Sequence, residues 1–208
     1  MENTFAPLKM LEEGLSAPSP STSPWVTLSW AQSLNGAIAC TPGIPLALSG
    51  AESLTFTHRV RSLHQTILVG VGTVLADDPL LNVRLVDGPS PRGVILDTNL
   101  RMPLGARIFS RTDVQPWIFY SQDPEGRAKA LEARGAKLFQ VDLDKGGVNL
   151  SQVLATLKEG GISSVMVEGG SRILDRSFLE ELLPTQFWAK PLGRKATPYL
   201  LIFDSPGP

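Results

Sequence analysis

Cysteine is almost missing from this chain: Cys40 is alone among 208 residues. A lone thiol excludes an intramolecular disulfide and any site that needs two thiolates. Histidine is nearly as scarce, with only His58 and His64. Six positions apart on a helix of roughly 100° per residue, they would point about 240° apart. That is a poor arrangement for sharing a metal, so no Cys/His metal centre is expected. No run reaches the roughly 18 apolar residues of a membrane span. The start of the chain carries Lys9, Glu12 and Glu13 and lacks the apolar core of a secretory signal, so the expected location is cytoplasmic. An excess of either charge is missing too. With 19 basic and 20 acidic side chains the formal net charge is −1, and the basic footprint of a nucleic-acid binder is not there.

What is present is the patterning of an α/β domain. Glycine and proline, at 19 and 17 residues, exceed the average but stay below the level of a disordered chain. Residues 1–24 end in a Pro/Ser run from Ser16 to Pro24 and read as a tail or linker, with a short helix around Met10 to Leu15. The domain is expected to occupy residues 25–208. Trp25 to Ala31 alternates as a strand does, and Asn35-Gly36 suits a tight turn. Ser49-Gly50-Ala51-Glu52 has the form of a capping box before a helix with Phe56, Val60 and Leu63 inward. Apolar runs at Thr66–Val71, Arg92–Asp97, Pro116–Ser121, Lys137–Val141 and Ser163–Glu168 predict further strands. Helices are predicted over Pro124–Arg134, from Asn149 to the Gly160-Gly161 stop, and over Ser171–Leu183. Such alternation predicts a mostly parallel sheet with helices on both faces.

Ligands of open α/β sheets bind beyond the carboxyl ends of the strands, and three such places carry informative residues. Gly70-x-Gly72-Thr73 lets backbone approach a ligand and offers a hydroxyl, although a structural turn explains a lone Gly-x-Gly equally well. Glu168-Gly169-Gly170-Ser171 puts small residues and a cap at a helix start, where free N–H groups suit an anion. Glu168 also ends a buried strand, a costly position for a carboxylate that binds nothing. Between them lies Asp77-Asp78-Pro79-x-Leu81-x-x-Arg84, which by itself reads as a solvated turn.

Taken together with His58-x-x-Arg61 and Asp97, these motifs resemble the reductase domain of riboflavin biosynthesis, from about Trp25 to Leu192. The resemblance implies a dihydrofolate reductase-like, three-layer α/β/α fold around a mostly parallel sheet. It implies NADPH-dependent reduction of 5-amino-6-(5-phosphoribosylamino)uracil, or its non-deaminated counterpart, to the ribitylamino product. Carried over position by position, Arg61 and Arg84 hold the substrate phosphate, for which the planar guanidinium is suited. Leu81 lines that pocket, and Asp77 and Glu168 flank the reacting ribosyl carbon as the catalytic carboxylates. Ala31, Thr73, Asp77, Thr98 and the turn Gly169-Gly170-Ser171-Arg172 contact NADPH. A homodimer is implied, with no nucleic-acid or membrane partner.

The chain departs from the family pattern in three places. Ser29, Asn35 and Ala37 stand where the family has a strand lysine, a turn aspartate and a basic residue. Pro45-Leu46-Ala47 replaces a Ser-x-Trp loop, and the end of the chain predicts an incomplete closing part of the sheet. One cysteine cannot build the His/Cys/Cys site of the zinc deaminase that is the family's usual partner domain. Two alternatives stay open at this level. One is a catalytically weak relative that binds NADP or a phosphorylated ligand, and the other is a reductase of another small heterocycle.

Overall fold

The computed structural model describes residues 6–16, 23–32, 50–144, 147–168, 188–191 and 197–203, the last two stretches as backbone. The predicted helix over 171–183 lies outside them. Strand β1 (Trp25–Gln32) alternates as its sequence requires, with Val26 and Leu28 buried on one face and Thr27 and Ser29 on the other. Helix α2 (Ala51–Ser62) leads into β2 (Thr66–Gly70), which passes directly into α3 (Val71–Asp77). Then come β3 (Arg92–Leu96), a single 3₁₀ turn (Arg107–Ser110), β4 (Trp117–Tyr120), α4 (Ala128–Ala133) and β5 (Lys137–Gln140). A two-residue ribbon, β6 (Leu143–Asp144) with β7 (Gly147–Val148), precedes α5 (Leu150–Glu159) and β8 (Ser164–Glu168).

The main sheet has eight strands in the order β5-β4-β3-β2-β8-β1-β10-β9. From β5 to β1 every neighbouring pair is parallel. Toward the C-terminal end the sheet continues with two further strands. Strand β10 (Thr197–Phe203) pairs antiparallel along the whole of β1 from Val26 to Gln32, and β9 (Trp188–Pro191) pairs with β10. An antiparallel partner needs only a short connection, so two strands close the sheet within little chain.

Two apolar clusters fill the space above and below the sheet. One gathers Ile67, Val69, Ile95, Ile118 and Met166 under α2, α3 and α4. The other gathers Leu28, Leu68, Val94, Phe119, Val165 and Val167 under Val153 and Leu157 of α5. Alternate residues of β2, β3, β4 and β8 go to opposite clusters, which makes three layers. Gly93, in the middle of β3, has no room for a side chain: a Cβ there would stand 2.5 Å from Ile108 Cδ1 and 3.3 Å from Leu81 Cδ1.

Three sequence expectations change in the structure. Helix α4 starts at Ala128 and not at Pro124, because Pro124-Glu125-Gly126 makes a turn with Gly126 at φ +65°. Asp123 Oδ1 and Oδ2 then accept the N–H groups of Arg127 and Ala128 (2.6 and 3.0 Å) and start the helix. The capping residue of α2 is Gly50, without a side-chain bond. And part of the Pro/Ser-rich start belongs to the core: α1 (Ala6–Ser16) packs Leu8, Leu11 and Leu15 against the first cluster, with Leu11 only 1% exposed.

His64 joins the connection after α2 to β1. Its Nδ1 lies 2.8 Å from the carbonyl of Val60, which can only accept, so Nδ1 carries the proton. Nε2 is then an acceptor for the Thr27 hydroxyl at 2.8 Å. No helix among the described residues is long and apolar enough to cross a membrane. Leu11→Ala is expected to lower stability by about 2–4 kcal/mol in urea titration, the range of a buried leucine truncation. A change within about 0.5 kcal/mol would mean that α1 is a solvated tail.

Candidate active site

Because β2, β3 and β8 are parallel, their carboxyl ends share one edge of the sheet. At that edge β8 delivers Glu168, β2 delivers α3, and β3 delivers Asp97 and Thr98. Helix α2 lies over the same face. Its last turn aims Arg61 at Glu168, and the pair is bidentate: Nε donates to Oε1 and Nη2 to Oε2, each at 2.6 Å. The side chains are 13% and 17% exposed. Burial alone would lower the pKa of Arg61, but the hydrogen bond and the charge of Glu168 outweigh it and raise it.

The third donor of Arg61 reaches elsewhere. Nη1 donates to the carbonyl of Asn82 at 3.1 Å, in the segment between α3 and β3. One helical turn back, His58 Nδ1 accepts the backbone N–H of Arg84 at 3.1 Å. Two residues of one helix face thus tie the tripeptide Asn82-Val83-Arg84 at both ends. His58 is 2% exposed. Its pKa falls from 6.5 to about 4, chiefly through burial and then through the charges of Arg61 and Arg84, with Glu168 opposing. Both His58 and His64 are buried and hydrogen-bonded.

The other expected residues are placed as follows. Arg84 is exposed, and its guanidinium has one hydrogen bond among the described residues, to Asn82 Oδ1 at 3.4 Å. Asp77 ends α3, exposed, with its pKa raised by burial of the carboxyl. It makes no hydrogen bond with any described residue. Asp78 takes the left-handed cap (φ 41°) and accepts the N–H of Arg107. Leu81, expected to line the pocket, is instead a core residue, 2% exposed at φ 50°. Its carbonyl accepts from Arg111 Nη1 at 2.8 Å, and the same nitrogen reaches Pro91 O at 2.9 Å. Thr73 is half-buried in the first turn of α3, so Gly70-x-Gly72 opens a helix and is not a loop. Thr98 is half-buried after β3 and receives Ser121 and Gln122 on its carbonyl. Ala31 is described as backbone only, and Gly169 to Arg172 lie outside the described residues, as do Asn35, Ala37 and Pro45 to Ala47. An open groove of about 400 Å³ at the ends of β4 and β5, lined by Ser121, Gln140, Asp142 and Gln152, contains none of the expected residues.

Ser29 stands in register with Glu168 across the parallel pair β1–β8, so the two side chains share a sheet face. A lysine at position 29, as in the family pattern, would stand beside this carboxylate; Arg61, itself part of that pattern, meets it from α2. Sequence reasoning quoted His58 within a motif but gave it no role, and it missed Asn82. The i, i+3 spacing of His58 and Arg61 was a visible signal for the first; the second acts through a backbone carbonyl and leaves none.

A largely parallel sheet covered on both faces, with charged residues gathered at the carboxyl ends of its strands, is the architecture of dihydrofolate reductase-like reductase domains. Residues 24–183 match the RibD C-terminal domain, and the chain belongs to that family. It is 38% identical over 159 residues to the riboflavin biosynthesis protein RibD of Aquifex aeolicus, covering 76% of this chain but only 43% of that protein. To the 2,5-diamino-6-ribosylamino-4(3H)-pyrimidinone 5′-phosphate reductase of Debaryomyces hansenii it is 37% identical over 186 residues, covering 79% of this chain and 72% of the relative. Its fold is that of the Saccharomyces cerevisiae reductase Rib7 (TM-score 0.68, 24% identity, 94% and 97% covered). It matches Acinetobacter baumannii RibD as closely (TM-score 0.69, 23% identity, 89% and 59% covered).

Both histidines have folded pKa values of about 4 against 6.5 when free. As pH falls the unfolded chain takes up these protons first, so their contribution is complete above about pH 6.5 and is lost on the way down to pH 4. Urea midpoints measured from pH 7 to pH 4.5 should fall with a slope approaching two protons. A flat profile between pH 6.5 and 5 would contradict the buried, neutral state of both.

Proposed function

We propose that this chain reduces the ribosyl group of a phosphoribosylamino-pyrimidine, 5-amino-6-(5-phosphoribosylamino)uracil or its non-deaminated counterpart, to the ribityl product with NADPH. The observation that carries the reading is the Arg61–Glu168 pair set beside an exposed Arg84 at the carboxyl edge of the sheet. Relatives whose names specify this reductase support it. The substrate presents two demands that such a site meets: an anion to hold at one end and a carbon to reduce at the other.

The residues fit a nicotinamide dinucleotide. A Cβ built on Gly72 would meet nothing within 4 Å, so a ligand can lie directly on the first turn of α3 beside the half-buried Thr73. Thr73 and Thr98 would hold the cofactor, together with the contacts that the family pattern assigns to Ala31 and residues 169–172. When bound, NADPH supplies the hydride for the ribosyl C1′. Opening of the bond between C1′ and the ring oxygen requires a proton at that oxygen, which this chain's own carboxyl groups would supply.

The side chains divide this work. Arg84, exposed and lightly engaged, is the grip for phosphate. Arg61 has three donors already committed, to Glu168 and to Asn82, and acts by fixing the carboxylate against the substrate. Both oxygens of Glu168 accept from Arg61, which leaves Asp77 as the better proton donor. Its carboxyl is unengaged among the described residues, and partial desolvation raises its pKa.

Purified protein mixed with NADPH and either pyrimidine should consume the reduced nicotinamide, and Asp77→Asn should lower kcat by about 100-fold or more. Binding of NADPH with no turnover of either pyrimidine would contradict the enzyme reading and favour a binding module.

A further inference from the structure

His58 has a task that packing does not explain. It is a buried imidazole that accepts a backbone N–H of the segment carrying Arg84. A hydrophobic side chain would fill the same space without making that bond. Its geometry is also specific. Nδ1 accepts the N–H of Arg84, so the proton of the neutral ring sits on Nε2. Arg61, on the next turn of α2, holds the carbonyl of Asn82 two residues earlier. Nearby, Ser90 Oγ accepts the N–H of Val83 at 3.0 Å, so each residue of the tripeptide has a backbone tie. The side chain of Arg84 is left outside, and its direction is set by the backbone from which it springs.

We propose that His58 is a positioning residue for phosphate recognition: with Arg61 it staples the 82–84 backbone to α2 and so presents the Arg84 guanidinium to the anionic end of the substrate. This rests on the reductase reading and goes beyond it by naming the residue that sets the specificity for a phosphorylated over an unphosphorylated ribosyl substrate. The bond made by His58 is to a backbone N–H, so replacement of Arg84 alone could not reveal it. A phenylalanine at 58 keeps the bulk and removes the acceptor, whereas an asparagine carries an oxygen near the position of Nδ1 and retains it.

Steady-state kinetics of the wild type, His58→Phe and His58→Asn, with the phosphorylated pyrimidine and with its dephosphorylated form, tests the assignment. His58→Phe should raise KM for the phosphorylated substrate about tenfold, the equivalent of one lost hydrogen bond. Its kcat and its KM for the dephosphorylated substrate should stay within about twofold. His58→Asn should restore KM to within about threefold of the wild type. Equal losses on both substrates, or none, would overturn the positioning role while leaving the reductase reading intact; a wild type inactive on both would overturn that reading first. Should His58→Phe fail to fold, nitrogen NMR of the wild type decides. A protonated Nε2 and a bare, hydrogen-bonded Nδ1 are expected, and the opposite tautomer would exclude the bond to Arg84.

Discussion

The bidentate pair between Arg61 and Glu168 joins helix α2 to strand β8, and the geometry of the candidate site follows from it. Two parallel N–H···O bonds fix both the distance and the plane of the carboxylate, which a lysine would not do. The pair is largely enclosed, at 13% and 17% exposure, so loss of one partner leaves a charge with little water to replace it. Breaking such a pair costs at the lower end of about 3–5 kcal/mol. That cost keeps Arg61 on Glu168 and, through its remaining donor, keeps Asn82 beside α2. A single interaction therefore sets the carboxylate, the end of the helix and the start of the phosphate arm together.

The same pair explains how the chain accommodates Ser29. The register of β1 and β8 puts position 29 next to Glu168, where the family pattern carries lysine. With a small hydroxyl there, the carboxylate meets a cation that comes from the helix above the sheet and not from the neighbouring strand. Relative to the family pattern, which carries both the strand lysine and this arginine, one cation beside Glu168 is missing. Arg61, approaching from α2, engages both carboxylate oxygens.

Much of the fold was legible in the sequence because its parallel strands are short, apolar and bounded by punctuation. Thr66–Gly70, Arg92–Leu96 and Ser164–Glu168 stand nearly as their patterns predict. The failures have physical causes. Pro124 reads as a helix start, yet the positive φ of Gly126 and the two bonds accepted by Asp123 delay the helix to Ala128. A short helix before Trp25 was legible, but the Pro/Ser composition around it masked its packing on the core through Leu8, Leu11 and Leu15. The closure of the sheet by β10 depends on long-range pairing that no local pattern announces. In the site, Arg61, Arg84, Asp77 and Glu168 were legible as types in motifs, but which cation meets which carboxylate is a matter of register and crossing. Leu81 shows the limit most clearly: its motif marks the site, while its side chain serves the core.

A double-mutant cycle on substrate turnover bears most directly on the claim that Arg61 acts through Glu168. Arg61→Gln and Glu168→Gln are combined in one cycle, and Arg84→Gln with Glu168→Gln in a second, with kcat/KM read throughout. The first cycle should be strongly coupled, the double variant losing little more than the worse single one, and the second, linked only through Arg61 and the 82–84 backbone, should be more weakly coupled than the first. Additivity in the first cycle with stronger coupling in the second would contradict that account and return the phosphate to Arg61.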